Sequence, residues 1–320
     1  MSKIVVYTGV YNEIRFVDQM IQSVLNQTHS EFDFYISDNH STDGTSDAVR
    51  HYASLDRRIK VISPPSHLSS LDHGQFLITY LKGTPCSAAQ FLGGHDLISA
   101  DYLEKMLEGL NQNPTAAIAY PKNAYEIDRD NKIIKKWGSS PQTIGVPQPF
   151  KTIMTLLTLT YNVPLYGLWR YEVFKRIENH PICIGGDHLF VAYATCHGDL
   201  VEISEGGLFL RQAMGVGDIN TYQEKHLGSV RNTGDDFIHQ LKLLSEMIDT
   251  ISQGQSPEMR DAIRASAILM YITRHSYYVT KEEDRRRLFL DPTISAVMNV
   301  FVESGGVLRT MLEQFKPAAS

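Results

Sequence analysis

Four short segments of this 320-residue chain gather side chains that can bind a ligand or move a proton. Thr8-Gly9-Val10-Tyr11-Asn12 offers a hydroxyl, a phenol ring and an amide. Asp38-Asn39-His40-Ser41-Thr42-Asp43-Gly44 offers two carboxylates among turn formers. Gly93-Gly94-His95-Asp96 sets an imidazole beside a carboxylate, and Gly185-Gly186-Asp187-His188 sets a carboxylate at the start of a helical pattern. A carboxylate in such a place accepts an N–H, takes a proton from a hydroxyl or ligates a hard cation. An aromatic ring presents a face to a planar group. Each residue also has a plain structural reading, because Asp, Asn, Ser and Thr are the common N-caps and turn formers. Position in the fold must decide between the two.

The elements that position these segments are legible. Ile4-Val5-Val6 is a β-branched run of the kind found in buried parallel strands. Val17, Ile21, Val24 and Leu25 fall on one helical face. Phe32, Phe34 and Ile36 alternate as a strand. Ala48, Val49 and Tyr52 mark a short helix, and Ile59–Ile62 a third strand. The βαβαβ order implies a parallel sheet with helical crossovers, and such sheets bind ligands at the carboxyl ends of their strands. That rule selects Thr8–Asn12 and Asp38–Gly44. A fourth strand, Ala88–Leu92, ends in Gly93-Gly94-His95-Asp96, and a helix spans about Asp101–Leu110. Further strands are expected at Ala116–Tyr120, at Tyr125–Lys135 as a hairpin over Asp130-Asn131, at Leu165–Trp169, at Leu200–Ile203 and at Leu208–Arg211. Gly186 opens a helix to about Cys196. From Asp235 the pattern is helical, broken at Gln253–Pro257, Asp291-Pro292 and Gly305-Gly306.

Composition narrows the function classes. A net charge of -6 argues against a nucleic-acid partner, which calls for a basic patch. Three scattered cysteines form neither a disulfide framework nor a zinc site. The opening residues run into a strand without an apolar signal core, so a cytoplasmic setting is expected. Phe150–Leu165 comes nearest to a membrane span, but threonines, Asn162 and Pro164 interrupt it. The first strand is not followed by G-x-G-x-x-G, which argues against a dehydrogenase. Nor is it followed by a Gly-rich basic loop, which argues against a nucleotidyltransferase.

The stretches Thr8-Gly9-Val10-Tyr11-Asn12-Glu13, Ser23-Val24-Leu25-Asn26-Gln27-Thr28 and Ser41-Thr42-Asp43-Gly44-Thr45 give a more specific pointer. In this order the chain resembles the inverting family-2 glycosyltransferases of the GT-A fold. The resemblance covers about residues 3–230. It implies a Rossmann-like α/β domain over 1–232 with a mixed, mostly parallel sheet, its nucleotide half at about 1–110 and its acceptor half at about 111–232. A helical region, 233–320, lies outside it.

By that resemblance Thr8 and Tyr11 hold the nucleobase and ribose, and Asp38 binds the base. His95 and Gln75 fall on further donor-contacting segments. The family's acidic cluster after the fourth strand holds a divalent cation, Mn²⁺ or Mg²⁺, against the diphosphate. Here only Asp96 keeps a carboxylate, with His226 from a glycine-rich loop as a second expected ligand. The family's general base, at a helix start in a G-E-D pattern, corresponds to Asp187, with glycine in place of the glutamate. The implied reaction moves a sugar from a nucleoside-diphosphate sugar, a UDP-sugar first among donors, to a saccharide or lipid-linked saccharide in surface polysaccharide synthesis. The thinned acidic cluster motivates the rival reading, a nucleotide-sugar-binding protein without catalysis. A lipid-linked acceptor would bring the protein to the inner membrane face. The apolar faces of the last helices (Ile263, Ala267, Met270, Tyr271) either cover the core or pair two subunits.

Overall fold

A computed structural model of the chain describes residues 3–138, 141–159, 162–176, 186–211, 233–275, 290–292 and 294–295. Its centre is a nine-stranded mixed sheet. The strands are β1 (Ile4–Val10), β2 (Phe32–Asp38), β3 (Ile59–Ile62), β4 (Ala88–Phe91), β5 (Leu97–Ile98), β6 (Ala116–Ile127), β7 (Ile133–Lys136), β8 (Leu168–Arg170) and β9 (Asp199–Arg211). Their spatial order is β3-β2-β1-β4-β8-β6-β9-β5, with β7 paired to β6. The run β3-β2-β1-β4 is parallel, as is β6 with β9; the remaining pairs are antiparallel. The three carboxyl ends of β2, β1 and β4 therefore lie side by side.

Helices α1 (Val17–Leu25), α2 (Thr45–Leu55), α3 (Ser70–Lys82) and α4 (Tyr102–Gln112) connect the strands of the first half. Ile4, Val5, Val6, Val17, Met20, Ile21, Val24, Phe34 and Ile36 are fully buried together, the two-sided burial that the β-branched run and helical spacing require. α3 was not among the expected elements. Its N-cap, Ser69, accepts a hydrogen bond from the Asp72 backbone N–H and donates its hydroxyl to the Asp72 carboxylate at 2.6 Å.

Two expected breaks are bridged. Pro121 lacks a ladder donor and reads as a strand end, yet β6 runs through it by shifting register against β9 between Pro121 and Asn123. The same shift absorbs Ser204-Glu205-Gly206, where Gly206 takes a left-handed φ of 77°. β9 is therefore one strand rather than two. The hairpin turns at Asp130-Asn131 as expected, with Asn131 left-handed. Val163–Tyr166 is a 3-10 turn, and the strand expected at Leu165 begins only at Leu168.

The second half adds α5 (Phe150–Thr158), α6 (Tyr171–Arg176), α7 (Gly186–Ala194), α8 (Thr233–Ile251) and α9 (Pro257–His275). α5, α7, α8 and α9 share a second core with Leu156, Leu189, Ala192, Phe237, Leu241, Ile263, Ala267 and Tyr271. The apolar face of α9 is thus spent largely within its own chain, against α8 and α5, while α8 packs on α7. Among the described residues no helix is long and apolar enough to cross a membrane.

Candidate active site

Backbone and side-chain hydrogen bonds stitch the segments after β1 and β2 together. Asn39 N–H donates to Val10 C=O at 2.9 Å, Asn12 N–H to Ser41 Oγ at 3.0 Å and Thr42 N–H to Asn12 Oδ1 at 2.8 Å. Glu13 N–H donates to Thr45 Oγ1, and Asp43 accepts from Ile14 N–H and from Thr45. Asp43 is therefore a brace. Asp38 is buried at the end of β2. Its Oδ1 accepts Ser41 N–H at 3.1 Å, and its Oδ2 accepts the Ser46 hydroxyl. A carboxylate has lone-pair sites beyond these two.

Thr8 is fully buried at the end of β1, and its hydroxyl oxygen has no hydrogen-bond partner among the described residues. Tyr11 is exposed, and its ring lies 4.4 Å from that of His67, centroid to centroid. His67 is fixed by its Nδ1 against Asn39 C=O at 3.0 Å, while Asn39 exchanges two hydrogen bonds with the Leu68 backbone. Tyr11 and His67 thus form an aromatic wall beside Asp38. His67 went unread in the sequence, because its partners lie 28 and 56 positions away.

His73, not Gln75, is the α3 residue that faces these strand ends. It is buried, and its Nε2 lies 2.7 Å from Ser37 Oγ. Gln75 bonds along the helix to Thr79 at 3.1 Å. Gly9 leaves room for the imidazole; a Cβ there would lie 2.8 Å from His73 Cε1. Burial pulls the His73 pKa down from 6.5 to about 4, against the opposing pull of Asp38. A neutral buried imidazole in the folded chain, protonated more readily once unfolded, gives stability that is full above pH 6.5 and is lost as pH falls toward 4. Urea melts across that interval should show this slope, and His73→Gln should flatten it. An equal slope in both proteins would contradict the assignment.

The Gly93-Gly94-His95-Asp96 turn folds against the end of β1. A Cβ on Gly94 would sit 2.9 Å from Gly9 C=O, and one on Gly93 would collide with the Asp96 carboxylate. Asp96 is buried, and burial pushes its carboxyl above the usual carboxylate range, with His95 and Arg211 pulling the other way. Its Oδ1 accepts Arg211 N–H at 2.8 Å. His95 Nδ1 donates to Glu13 Oε1 at 2.9 Å, which leaves Nε2 4.0 Å from Asp96 Oδ1. The buried Arg211 side chain ties this turn to the β6–β7 hairpin. Its Nε donates to His95 C=O, and its two terminal nitrogens donate to Asp128 C=O, Arg129 C=O, Gln19 Oε1 and Asn131 Oδ1. Glu13 stood unmarked within a quoted motif. Read from sequence, Arg211 is a cation to aid charge neutralisation on the departing diphosphate, whereas here its guanidinium donates to five protein oxygens.

No group of three or more His, Cys, Asp or Glu side chains that could hold a metal occurs among the described residues. The Asp96 oxygen and the neighbouring His95 Nε2 fit a site in which the protein gives one or two ligands and phosphates with water give the rest, as Mg²⁺ and Mn²⁺ accept. His226 lies outside the described residues.

Asp187 stands at the start of α7 and is partly exposed. Its Oδ1 accepts His188 N–H at 3.1 Å, and its Oδ2 accepts Asn162 Nδ2 at 2.9 Å. Asn162 is 9% exposed, and its Oδ1 has no partner among the described residues. The 3-10 turn that follows Asn162 is anchored at the end of β4, since Tyr166 C=O accepts from Gln90 Nε2 and from Tyr102 OH. Asp187 is thereby linked to the same strand that ends in the Gly93–Asp96 turn. Trp169, at the end of that connection, is a core residue. It is buried against Phe174 and Phe190, with Nε1 donating to Leu165 C=O.

This architecture is shared with solved structures. The chain superposes on S. aureus TarS residues 1–349 in complex with UDP-GlcNAc at a TM-score of 0.64, with 15% identity, covering 88% of this chain and 77% of that one. The mannosyltransferase PcManGT of Pyrobaculum calidifontis, solved with GDP-Man and Mn²⁺, matches at 0.50 with 12% identity over 94% and 86% of the two chains. At these identities the likeness is one of fold. In sequence the chain is 27% identical over 156 residues to the putative teichuronic acid biosynthesis glycosyltransferase TuaG of Bacillus subtilis (strain 168), 48% of this chain and 60% of that protein. It is 26% identical over 106 residues to an uncharacterized glycosyltransferase of Haemophilus influenzae (strain ATCC 51907 / DSM 11121 / KW20 / Rd), 32% of this chain and 31% of that one. The chain thus spans less than two thirds of these relatives' lengths. The model of Glycosyl transferase family 2 matches residues 5–177, more than half of the chain and the carboxyl ends of β1, β2 and β4, so the protein belongs to glycosyltransferase family 2.

Proposed function

We propose that the chain transfers a sugar from a nucleoside-diphosphate sugar to a saccharide or lipid-linked saccharide acceptor by a single inverting displacement, in surface polysaccharide synthesis. The observation that carries this is the convergence of the Tyr11–His67 wall, Asp38 and Asp96 on the adjacent carboxyl ends of β1, β2 and β4, with Asp187 linked to β4 through Asn162. The UDP-GlcNAc complex of TarS and the teichuronic acid role given for TuaG support a UDP-sugar donor and an envelope glycan acceptor.

In this reading Tyr11 and His67 stack on the base, and Asp38 accepts a base N–H through a lone pair that the turn leaves over. Thr8 offers its unpartnered hydroxyl from the floor of the pocket. Asp187 takes the proton from the attacking acceptor hydroxyl, held in orientation by the Asn162 amide. The amide cannot sit the other way round, because its oxygen would then face the carboxylate. Asp96 and His95 would hold a divalent cation, which would supply charge neutralisation at the departing diphosphate. Helices α8 and α9 share a core with α5 and α7 and support that side of the fold.

The test is a panel of nucleotides and nucleotide-sugars with Mn²⁺, Mg²⁺ or EDTA, read by thermal shift and by transfer or donor hydrolysis. UDP with Mn²⁺ should raise the melting temperature, and EDTA should reverse the gain. A shift without turnover of any donor would favour the binding-only reading, which the single carboxylate of the Gly93–Asp96 turn makes specific. Neither shift nor turnover would remove both.

A further inference from the structure

The β6–β7 hairpin carries a feature that donor chemistry does not use. All four residues of β7, Ile133-Ile134-Lys135-Lys136, are exposed, with Ile133 at 51% and Ile134 at 46%. β7 pairs only with β6 among the described strands, so it is an edge. The register against β6 skips Ile134, with Ile133 opposite Ile127 and Lys135 opposite Glu126, so a bulge at Ile134 breaks the strict alternation of faces. Residues 131–137 hold three lysines and no carboxylate, in a chain of net charge -6. Lysines on an edge strand are a familiar guard against strand pairing. A guard explains the charges but not two adjacent half-exposed isoleucines.

The arm is also fixed. Asp128 Oδ1 accepts the Asp130 and Lys132 backbone N–H groups, each at 2.9 Å. The Arg211 guanidinium holds Asp128, Arg129 and Asn131 on one side and His95 on the other. The hairpin is therefore a rigid projection bolted to the turn that carries Asp96.

We propose that the β6–β7 hairpin docks the protein on an anionic lipid surface, with Ile133 and Ile134 entering the interface and Lys132, Lys135 and Lys136 facing the headgroups. Exposed aliphatics flanked by lysines are the pairing that a charged membrane surface rewards. A soluble polyanion would engage the lysines and leave the isoleucines in water. The inference rests on the lipid-linked form of the acceptor proposed above, because docking there presents such an acceptor beside the Asp96 turn.

The full chain is sedimented with vesicles of phosphatidylcholine alone and with equal parts phosphatidylcholine and phosphatidylglycerol. Binding is expected only to the anionic vesicles and should weaken with salt. Ile133→Ser/Ile134→Ser should weaken it at least about tenfold, and Lys132→Gln/Lys135→Gln/Lys136→Gln should weaken it by about fivefold for each lysine removed. Both variants should keep the melting temperature of the parent, since the strand is exposed. No binding, equal binding to both vesicles, or binding retained by both variants overturns the proposal. So does an isoleucine variant that binds vesicles normally while the lysine variant loses binding, which points to a polyanionic glycan. A fall in molar mass by light scattering in the isoleucine variant also overturns it, in favour of strand pairing between two copies. Donor hydrolysis without vesicles reads the proposed activity separately, so either inference can fail alone.

Discussion

Replacing Asp187 by asparagine is expected to lower kcat about 100- to 10,000-fold while leaving UDP-dependent stabilisation intact. The variant keeps the shape of the side chain and removes only its ability to take a proton. Asp187 lies at the start of α7, and the Tyr11–His67 wall that would hold the base stands on other segments, so donor affinity should not follow activity. Asn162→Ala should reproduce part of the effect. The carboxylate remains but loses the Nδ2 hydrogen bond at 2.9 Å that fixes one of its oxygens. A kcat loss of about tenfold, with KM for the donor unchanged, is the signature of lost orientation. Full activity in Asp187→Asn would remove this residue from the mechanism and direct attention to another base.

Arg211→Ala should have the largest effect on stability, about 2–4 kcal/mol by urea unfolding. The side chain is buried and serves three backbone carbonyls and two side-chain oxygens on three separate segments. Removing it takes away the five hydrogen bonds that hold the three segments together and leaves a gap where the buried side chain packed. Arg211→Lys keeps the charge but cannot reproduce a planar fork that reaches several acceptors, so it should rescue only part of the loss. The backbone N–H that Arg211 gives to Asp96 survives in both variants. Metal- and UDP-dependent stabilisation should therefore decline through a loosened His95–Asp96 turn rather than vanish. Unfolding within about 0.5 kcal/mol of the parent would show that the bolt is not structural.

The strands whose carboxyl ends carry the candidate site were legible because their signals are local. A β-branched run, a 3.6-residue spacing and a turn rich in Asp, Ser and Gly each need only neighbours in sequence, and the parallel order then selects the strand ends. The same locality explains the misreadings. Pro121 and Ser204-Glu205-Gly206 look like strand ends from within their own segments. Only the facing strand shows that β6 and β9 accommodate them by slipping register. α3 was missed because His73 and Gly74 interrupt its pattern, while its cap at Ser69 depends on a side-chain bond to Asp72.

For the site itself, strand-end placement selected Thr8–Asn12 and Asp38–Gly44, and the family resemblance singled out Thr8, Tyr11, Asp38, Asp96 and Asp187 as candidates. Tertiary structure decided what surrounds them. His67 comes against Tyr11, His73 fills the space that Gly9 leaves, Glu13 takes His95, and Asn162 takes Asp187 across 25 positions. It also decided that Trp169 belongs to the core and that Arg211 joins the Asp96 turn to the hairpin. Sequence determines which chemistry a segment can offer, because that depends on side-chain type and local turn preference. Which partner each group meets depends on long-range packing, and no periodicity along the chain records that.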